Sequence, residues 1–565
     1  MMKPLDISLV FHTVKYLKPR QFFYKAYHWL RNKGVFPFPK LARPYPGELK
    51  AVPETKLVFL SYNWWKPKSI ESGQFKFLNE EVNFINCIDW QCPHKGRLWR
   101  YNLHYFQYLQ DINKIPVQKN LQLIHDWINH NPPGTQDAWD PFPISLRVVN
   151  WLKFLNEHDI SRHVFQIIYK SIFQQVQWLE KSLEFHLLGN HLFKNIKALI
   201  FAGLSFEGPD ARRWLNRGIT LLEEELREQI LSDGGHFERS PMYHSMILED
   251  CLDLMNIGLS NYRSLPRTLV EKLNDTCYRM LRFLFGMTHP DGNIALFNDA
   301  AFNIEPSPES LKSYYEKISG EKFDYKESDS LSFPESGYFV FSPTPGDKLI
   351  VDCGKIGPDY QPGHSHCDTL SFELSIKGDR VIVDSGCYTY EQGEMREYNR
   401  GNAGHNTLTI DGHNQSEVWG SHRCGRRAYP LYAELKKLYD GSLEFRGAHD
   451  GYTRLPGKPI HHRRIVFFDS RYRIEDIVEG RGIHHVESRL HFNPSINVKL
   501  NGRTATLRKG GRTLGTVLMT GKGTLHSENG WYCPEFGKKM PCVVLKATYK
   551  NATLPLRCGW IMEFA

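Results

Sequence analysis

Hydrophobic residues recur every three or four positions through the first half of the chain, the spacing of amphipathic helices. The pattern is clearest in two stretches, which contain Ile168, Ile172, Val176 and Leu179, and then Ile219, Leu222, Leu226 and Ile230. Loops rich in Gly, Pro and Asp separate the helical stretches. The pattern therefore predicts paired helices packed as a ring or bundle over residues 51–331.

The pattern changes near Ser332, where apolar segments become shorter and begin to alternate with polar positions. The turn pairs Lys377-Gly378, Asp411-Gly412 and Asn501-Gly502 punctuate these segments. Residues 332–565 are predicted to form an antiparallel β-sandwich. Residues 1–50 are basic and then Pro-rich, which indicates an accessory segment and a linker.

Composition narrows the classes of partner. A chain of 565 residues fits two or three domains, and 41% hydrophobic residues suffice for packed cores. The net charge of +9 favours a polyanionic partner. The 13% aromatic content favours a sugar, since aromatic faces stack on pyranose rings. We expect an acidic polysaccharide and no nucleic acid.

The chain shows no signal-peptide pattern at its N-terminus, and no window reaches the apolar length of a membrane-spanning helix. Its eleven cysteines are scattered without CxxC pairs, so a disulfide framework is not expected. These features predict a cytoplasmic protein without a transmembrane segment. Export by a route that leaves no sequence signal stays open.

Four clusters of Asn, His and Tyr side chains in or beside Gly-containing loops are candidates for chemistry. They are Tyr101, Asn102, His104 and Tyr105; Asn190 and His191; Glu238, Tyr243 and His244; and His364, His366, Asp368, Asp384 and His405. Each cluster alone has a structural explanation, such as a helix cap, core packing or an exposed strand. The HxHxD spacing resembles a metallo-β-lactamase signature, but Thr369 follows where that signature needs His.

Six motifs occur in order between Trp99 and His422: RLWRYNLHYFQYL, WDPFPISLRVVNWLKFL, GNHLFKN, GGHFERSPMYH, GHSHCDTLSFEL and AGHNTLTIDG. In these motifs the chain resembles the heparinase II/III-like polysaccharide lyases. The resemblance implies a multidomain α-then-β fold, with an incomplete (α/α) toroid followed by an antiparallel β-sandwich.

The resemblance also implies a reaction. A lyase removes the C5 proton of a uronic acid and breaks the bond at C4, which requires neutralisation of the carboxylate. Asn190 and His191 would hold that carboxylate, while Tyr243 and His364 would act as acid and base. Substrate-binding roles fall to the neighbouring polar residues Tyr101, Asn102, His104, Tyr105, Glu238 and His244.

A metal site follows from the same resemblance, which assigns His366, Asp384 and His405 as ligands. Two imidazoles and one carboxylate suit Zn²⁺ better than Ca²⁺. The metal would brace the sandwich where it meets the toroid and hold His364 in place. Asp368 would then orient a histidine.

The substrate stays open among uronate polymers: hyaluronan, chondroitin, heparosan-like chains, alginate or a bacterial capsule. The mild net charge favours a lightly sulfated or unsulfated one. Two other functions also stay open. One is a glycoside hydrolase on a similar toroid, with Asp233 and Glu238 as its carboxylates. The other is a non-catalytic polysaccharide-binding protein of exopolysaccharide metabolism.

Overall fold

The computed structural model describes residues 7–33, 57–62, 67–111, 115–260, 265–326 and 328–564. Helices dominate the described residues up to Ser319. They are α1 (Ile7–Val14), α2 (Pro19–Asn32), α3 (Pro67–Glu71), α4 (Arg97–Tyr105), α5 (Val117–His130), α6 (Pro141–Glu157), α7 (Arg162–Glu180), α8 (Gly189–Ser205), α9 (Pro209–Gln229), α10 (Pro241–Ser260), α11 (Arg267–Gly286) and α12 (Pro308–Ser319), with α13 (Glu394–Arg400) later in the chain.

The helical half is built on the periodicity seen in the sequence. Ile168, Ile172, Val176 and Leu179 are all completely buried on one side of α7. The next such stretch forms α9, which packs against α8. Helices α8 and α10 are buried along most of their length, so they form the centre of this half.

A small β-hairpin interrupts the helical half. The sequence pattern did not predict this hairpin. Strands β1 (Gln74–Phe77) and β2 (Glu80–Asn83) pair across Leu78 and Asn79, both with positive φ. Asn79 Nδ2 donates to Glu535 Oε2 and to the Phe536 carbonyl oxygen, each at 3.0 Å. The hairpin therefore connects the helical half with the strand half.

Strands dominate from Ser330 onward. They are β3 (Ser330–Phe333), β4 (Tyr338–Phe341), β5 (Lys348–Asp352), β6 (Phe372–Ile376), β7 (Asp379–Ile382), β8 (Leu408–Ile410), β9 (Val418–Trp419), β10 (Arg423–Cys424), β11 (Pro430–Lys437), β12 (Leu443–His449), β13 (Ile460–Phe468), β14 (Arg471–Glu479), β15 (Ile483–His491), β16 (Asn497–Asn501), β17 (Thr504–Lys509), β18 (Arg512–Thr520), β19 (Thr524–Glu535), β20 (Lys538–Thr553) and β21 (Leu556–Phe564).

Three larger sheets share one hydrophobic core. Their strand orders are β11-β12-β13-β14-β21-β18-β17-β16, β19-β20-β15-β8 and β3-β4-β5-β6-β7, with antiparallel pairing throughout. The core takes side chains from all three sheets, including Phe372, Val486 and Trp560. Lys377 and Gly378 both have positive φ between β6 and β7, as the predicted tight turn requires. The predicted order of helices followed by sheets is confirmed.

The N-terminal basic segment forms the helix pair α1 and α2, while its predicted linker lies largely outside the described residues. Within the part of the chain that the structure describes, no helix is both long and apolar enough to cross a bilayer.

Candidate active site

A cavity of about 1160 Å³ lies where the helical half meets the strand half. Tyr101, Asn102 and Tyr105 contribute one part of its lining. Both halves supply side chains to another part of the lining. Asn190, His191 and Tyr243 come from helices of the helical half, and His364 comes from the loop before β6. The structure thus brings together all four residues predicted to be catalytic.

Asn190 is held in the first turn of α8 by Glu238. The Asn190 backbone N–H donates to Glu238 Oε1 at 3.1 Å, and its side-chain Nδ2 contacts Oε2 at 3.1 Å. Gly189 precedes it with φ +55°, and a Cβ there would lie 2.2 Å from Glu238 Oε1. The positive φ favours glycine, and a side chain there would displace the Glu238 carboxylate that holds Asn190. Asn190 therefore lies inside the helix with its amide oriented, rather than capping it.

His191 pairs with Glu184, with 3.0 Å between Nδ1 and Oε1. Burial lowers the pKa of His191, but the Glu184 carboxylate outweighs it, so the pKa is raised above its ordinary value. Because the side chain stays partly exposed to the cavity, the cationic form that this raised pKa favours can meet an anionic ligand there.

Tyr243 lies in the first turn of α10, with its ring against His364. The two ring centroids are 3.9 Å apart in a stacked arrangement, and the hydroxyls of Tyr243 and Tyr390 are 2.9 Å apart. Burial, and then the charge of Asp299, raise the pKa of Tyr243 well above its ordinary value. The hydroxyl is therefore protonated at neutral pH and can donate a proton.

His364 is oriented by Asp299, with 3.0 Å between Nδ1 and Oδ2. Burial would raise the pKa of Asp299, but Arg396 and hydrogen bonds from histidines hold it well below its ordinary value. Asp299 thus stays ionised and accepts the Nδ1 proton, which directs the other ring nitrogen, Nε2, toward Asn190 at 3.4 Å. This carboxylate–imidazole pair orients a general base.

Asp299 also joins His364 to a buried set of three potential metal ligands. His366 Nε2 donates to Asp299 Oδ1 at 2.9 Å, while His366 Nδ1 has no hydrogen-bond partner among the described residues. His366, Asp384 and His405 offer ligand atoms that all lie within 4.8 Å of one another. An unpartnered buried nitrogen in a His₂Asp set fits a zinc ion.

The matches with known families cover nearly the whole chain. Residues 69–322 match the family description Heparinase II/III N-terminus, and residues 326–561 match Heparinase II/III-like, C-terminal. The chain belongs to the heparinase II/III-like polysaccharide lyase family. The resemblance seen in the six motifs is confirmed.

Individual relatives of this heparinase II/III-like chain are distant in sequence but similar over most of its length. The heparin-sulfate lyase of Pedobacter heparinus is 25% identical, across 82% of this chain and 74% of that protein. The heparin-sulfate lyase of Bacteroides stercoris is 26% identical, across 69% of this chain and 63% of its own length. A crystal structure of heparinase III superimposes with a TM-score of 0.71 at 17% identity, covering 99% of this chain and 94% of that one. The predicted toroid-then-sandwich fold is confirmed.

Three of the predicted substrate-binding residues do not reach the cavity of this family member. His104 is fully buried, where it accepts a hydrogen bond from Trp127 Nε1 at 3.0 Å. His244 is buried between the His236 backbone N–H and the Met280 carbonyl. Glu238 is buried against Asn190. We correct all three: the first two pack in the core, and Glu238 positions Asn190.

The sequence analysis missed Asp299, Arg396, Tyr390 and Glu184 in this site. Asp299 lies in a bend after Asn298, which has φ +58° in the structure, and no local motif in the sequence marks it. Leu188 and Arg239 also have positive φ, immediately before the segments that carry Asn190 and Tyr243. Positive-φ residues thus precede three of the site residues, although others lie elsewhere in the described part of the chain.

Proposed function

We propose that this chain cleaves a uronic-acid-containing polysaccharide by β-elimination, leaving an unsaturated uronate at the new end. The observation that carries the proposal is the convergence of Asn190, His191, Tyr243 and His364 on one cavity. A carboxylate-binding pair thereby lies beside an acid and a base. These are the groups that elimination α to a carboxylate requires.

Asn190 and His191 would neutralise the substrate carboxylate. The Asn190 amide is held by Glu238, and the Glu184 carboxylate raises the pKa of His191, which favours its cationic form. Both therefore present fixed donors where negative charge accumulates as the C5 proton leaves. Preorganised donors stabilise that charge without reorganising during the reaction.

Tyr243 and His364 would share the proton transfers. A base takes the C5 proton, the C4–O bond breaks as the C4–C5 double bond forms, and an acid protonates the departing oxygen. If the C5 proton and leaving oxygen lie on opposite faces of the sugar, His364 Nε2 is the base and Tyr243 the acid. If they lie on the same face, Tyr243 serves as both. The raised pKa of Tyr243 keeps its hydroxyl protonated and ready for the acid step on the first route. On the second route Tyr243 must begin as the phenolate, which the same raised pKa disfavours.

The assay that tests this function follows near-ultraviolet absorbance while the chain acts on a panel of uronate polymers. β-Elimination creates a conjugated chromophore, whereas hydrolysis creates only reducing ends. The hydrolase alternative predicted Asp233 and Glu238 as its carboxylates, but Asp233 contacts Ser336 and Glu238 contacts Asn190, so neither lines the cavity. New reducing ends without absorbance would contradict the lyase.

Charge in the cavity supports a lightly sulfated substrate. Basic and acidic side chains are balanced along the lining: Arg31, Lys76, Arg97 and Lys194 face Asp140, Glu184, Glu391 and Glu535. Burial raises the pKa of the remaining lining carboxyl, Glu305, well above its ordinary value and favours its neutral form. Dense sulfation would bring repulsion from these carboxylates without matching cations. We expect kcat/KM for an unsulfated uronate polymer to exceed that for fully sulfated heparin by roughly tenfold or more. A preference for heparin would contradict this expectation.

The pH dependence of KM tests the role of His191. Its raised pKa means that the cationic form persists above the ordinary titration range and is lost as pH rises through the folded-state pKa. KM should therefore increase with pH over that range. In Glu184→Gln the increase should begin at lower pH, since the charge that raises the pKa is gone. Identical profiles for both proteins would contradict carboxylate binding by His191.

We propose Zn²⁺ as the resident metal, held by His366, Asp384 and His405. Its contribution would be structural: it would fix His366 and, through Asp299, the orientation of His364. Ca²⁺ prefers sets of six or more oxygen ligands, so it suits these imidazoles less well. The unpartnered His366 Nδ1 is the observation that supports this proposal.

Replacing His366 with Ala should lower zinc content and Tm together, because metal binding to the folded state stabilises it. The matched control is His289→Ala, which removes another buried histidine paired with a carboxylate, Glu373. That variant should lose stability and keep its zinc. Metal analysis of the purified wild-type chain that finds no zinc would contradict the assignment.

A further inference from the structure

The N-terminal helix pair has one face attached to the rest of the chain. On α2, Gln21 Nε2 donates to the Tyr360 carbonyl at 3.2 Å, and Arg31 Nη1 donates to Ser182 Oγ at 3.0 Å. On α1, Thr13 Oγ1 accepts from Trp419 Nε1 at 3.0 Å. These contacts fix the pair across both halves, with Arg31 on the cavity wall.

The opposite face of the same pair is apolar and exposed. Ile7 is 86% exposed and Phe11 59% on α1, while Phe22, Phe23 and Trp29 on α2 are 49–65% exposed. Among the described residues, six of the seventeen exposed large hydrophobic side chains belong to residues 7–33. Phe22 and Trp29 are seven positions apart, which places them on one stripe of α2. A concentrated apolar patch of this kind indicates an interaction surface.

Positive charge accompanies this apolar face. Residues 7–33 contain six lysines and arginines and no Asp or Glu. Lys15, Lys25 and Lys33 are exposed, and Lys33 falls on the stripe of Phe22 and Trp29. Exposed aromatic and aliphatic side chains beside lysines are the composition of helices that lie in a bilayer interface.

We propose that α1 and α2 dock this chain on an anionic lipid bilayer, lying in the interface plane. The apolar side chains would enter the acyl boundary while the lysines meet anionic headgroups. A second copy of the chain is a poorer occupant, since two such surfaces would bring like charges together. A uronate polymer could stack on the aromatic side chains, but the most exposed side chain of this face, Ile7, offers a sugar neither a stacking face nor a hydrogen bond, so the bilayer is the better occupant.

Vesicle flotation of the full-length chain tests the proposal. We expect binding to vesicles of phosphatidylcholine mixed with phosphatidylglycerol, and little binding to phosphatidylcholine alone or at high salt. The Phe11→Ser/Trp29→Ser variant and the Lys15→Glu/Lys25→Glu/Lys33→Glu variant should each reduce the bound fraction by about tenfold. The matched control, Phe468→Ser/Ile483→Ser, removes two equally exposed side chains from the sandwich and should bind as wild type.

Lyase rates on soluble polymer and circular dichroism confirm that each variant is folded, so a failure of docking is distinguishable from a failure of the proposed reaction. Three results would overturn the proposal. They are absence of wild-type binding to the mixed vesicles, unchanged binding by both helix variants, and a dimer in light scattering that Phe11→Ser/Trp29→Ser dissociates. Displacement from vesicles by a soluble uronate polymer would assign this face to the polymer instead.

Discussion

Replacing Tyr243 with Phe should abolish turnover by this chain while leaving its fold intact. The substitution removes only the hydroxyl that lies 2.9 Å from the Tyr390 hydroxyl, and the ring that stacks on His364 remains. Loss of a proton-transfer group costs about 10²–10⁴ in rate, and Tyr243 serves as acid on both stereochemical routes. Near-ultraviolet absorbance under saturating polymer measures the loss in kcat.

The matched control for this prediction is Tyr314→Phe. Tyr314 is also buried, and its hydroxyl donates to Asp253 Oδ1 at 2.9 Å, but it does not line the cavity. Its loss should reduce Tm by an amount comparable to that of Tyr243→Phe without reducing kcat. Full activity in Tyr243→Phe would end the proposed mechanism, whatever happens in the control.

Replacing Asp299 with Asn should reduce kcat by about 10³ with little change in KM, because Asp299 touches no substrate and acts through His364. An amide cannot hold the Nδ1 proton of His364 as the carboxylate does, so Nε2 loses its bias toward the basic form. The change also leaves Arg396 without its ionic partner and lowers Tm. Activity is therefore compared per folded molecule.

Asp476→Asn separates the positioning effect from the stability effect. Asp476 is a second fully buried Asp that pairs with both an arginine and a histidine: Arg463 Nε at 2.7 Å and His461 Nε2 at 2.8 Å. It lies on β14, away from the cavity. The control should lose Tm similarly and retain kcat. Equal losses of kcat in both variants would reduce the role of Asp299 to folding.

The fold could be predicted because its signals are local. Helix α7 buries the four residues that recur at helical spacing, and the Lys377-Gly378 pair forms the turn that its composition requires. The β1–β2 hairpin was missed because each strand has only four residues and its turn, Leu78-Asn79, lacks glycine. A strand that short carries too few alternating positions to stand out within a helical region.

The site could be predicted only where a motif placed several polar residues together. Motif membership does not distinguish the cavity side of a helix from its core side: Tyr101 and Tyr105 line the cavity, whereas His104 points into the core. Asp299 was missed for the opposite reason. Its partners His364 and Arg396 lie 65 and 97 positions along the chain, so nothing near Asp299 in sequence marks it.

The groups that would carry the reaction come from both sides of the junction, and this makes the junction itself part of the chemistry. The 3.4 Å between Asn190 Nδ2 and His364 Nε2 joins a helix of one half to a loop of the other. A small rotation between the halves would separate the base from the carboxylate pocket, and the hydrophobic clusters that take side chains from both halves oppose such a rotation. Neither half produced alone can therefore be active. Substitutions at the Asn79–Glu535 contact can change turnover from outside the catalytic set.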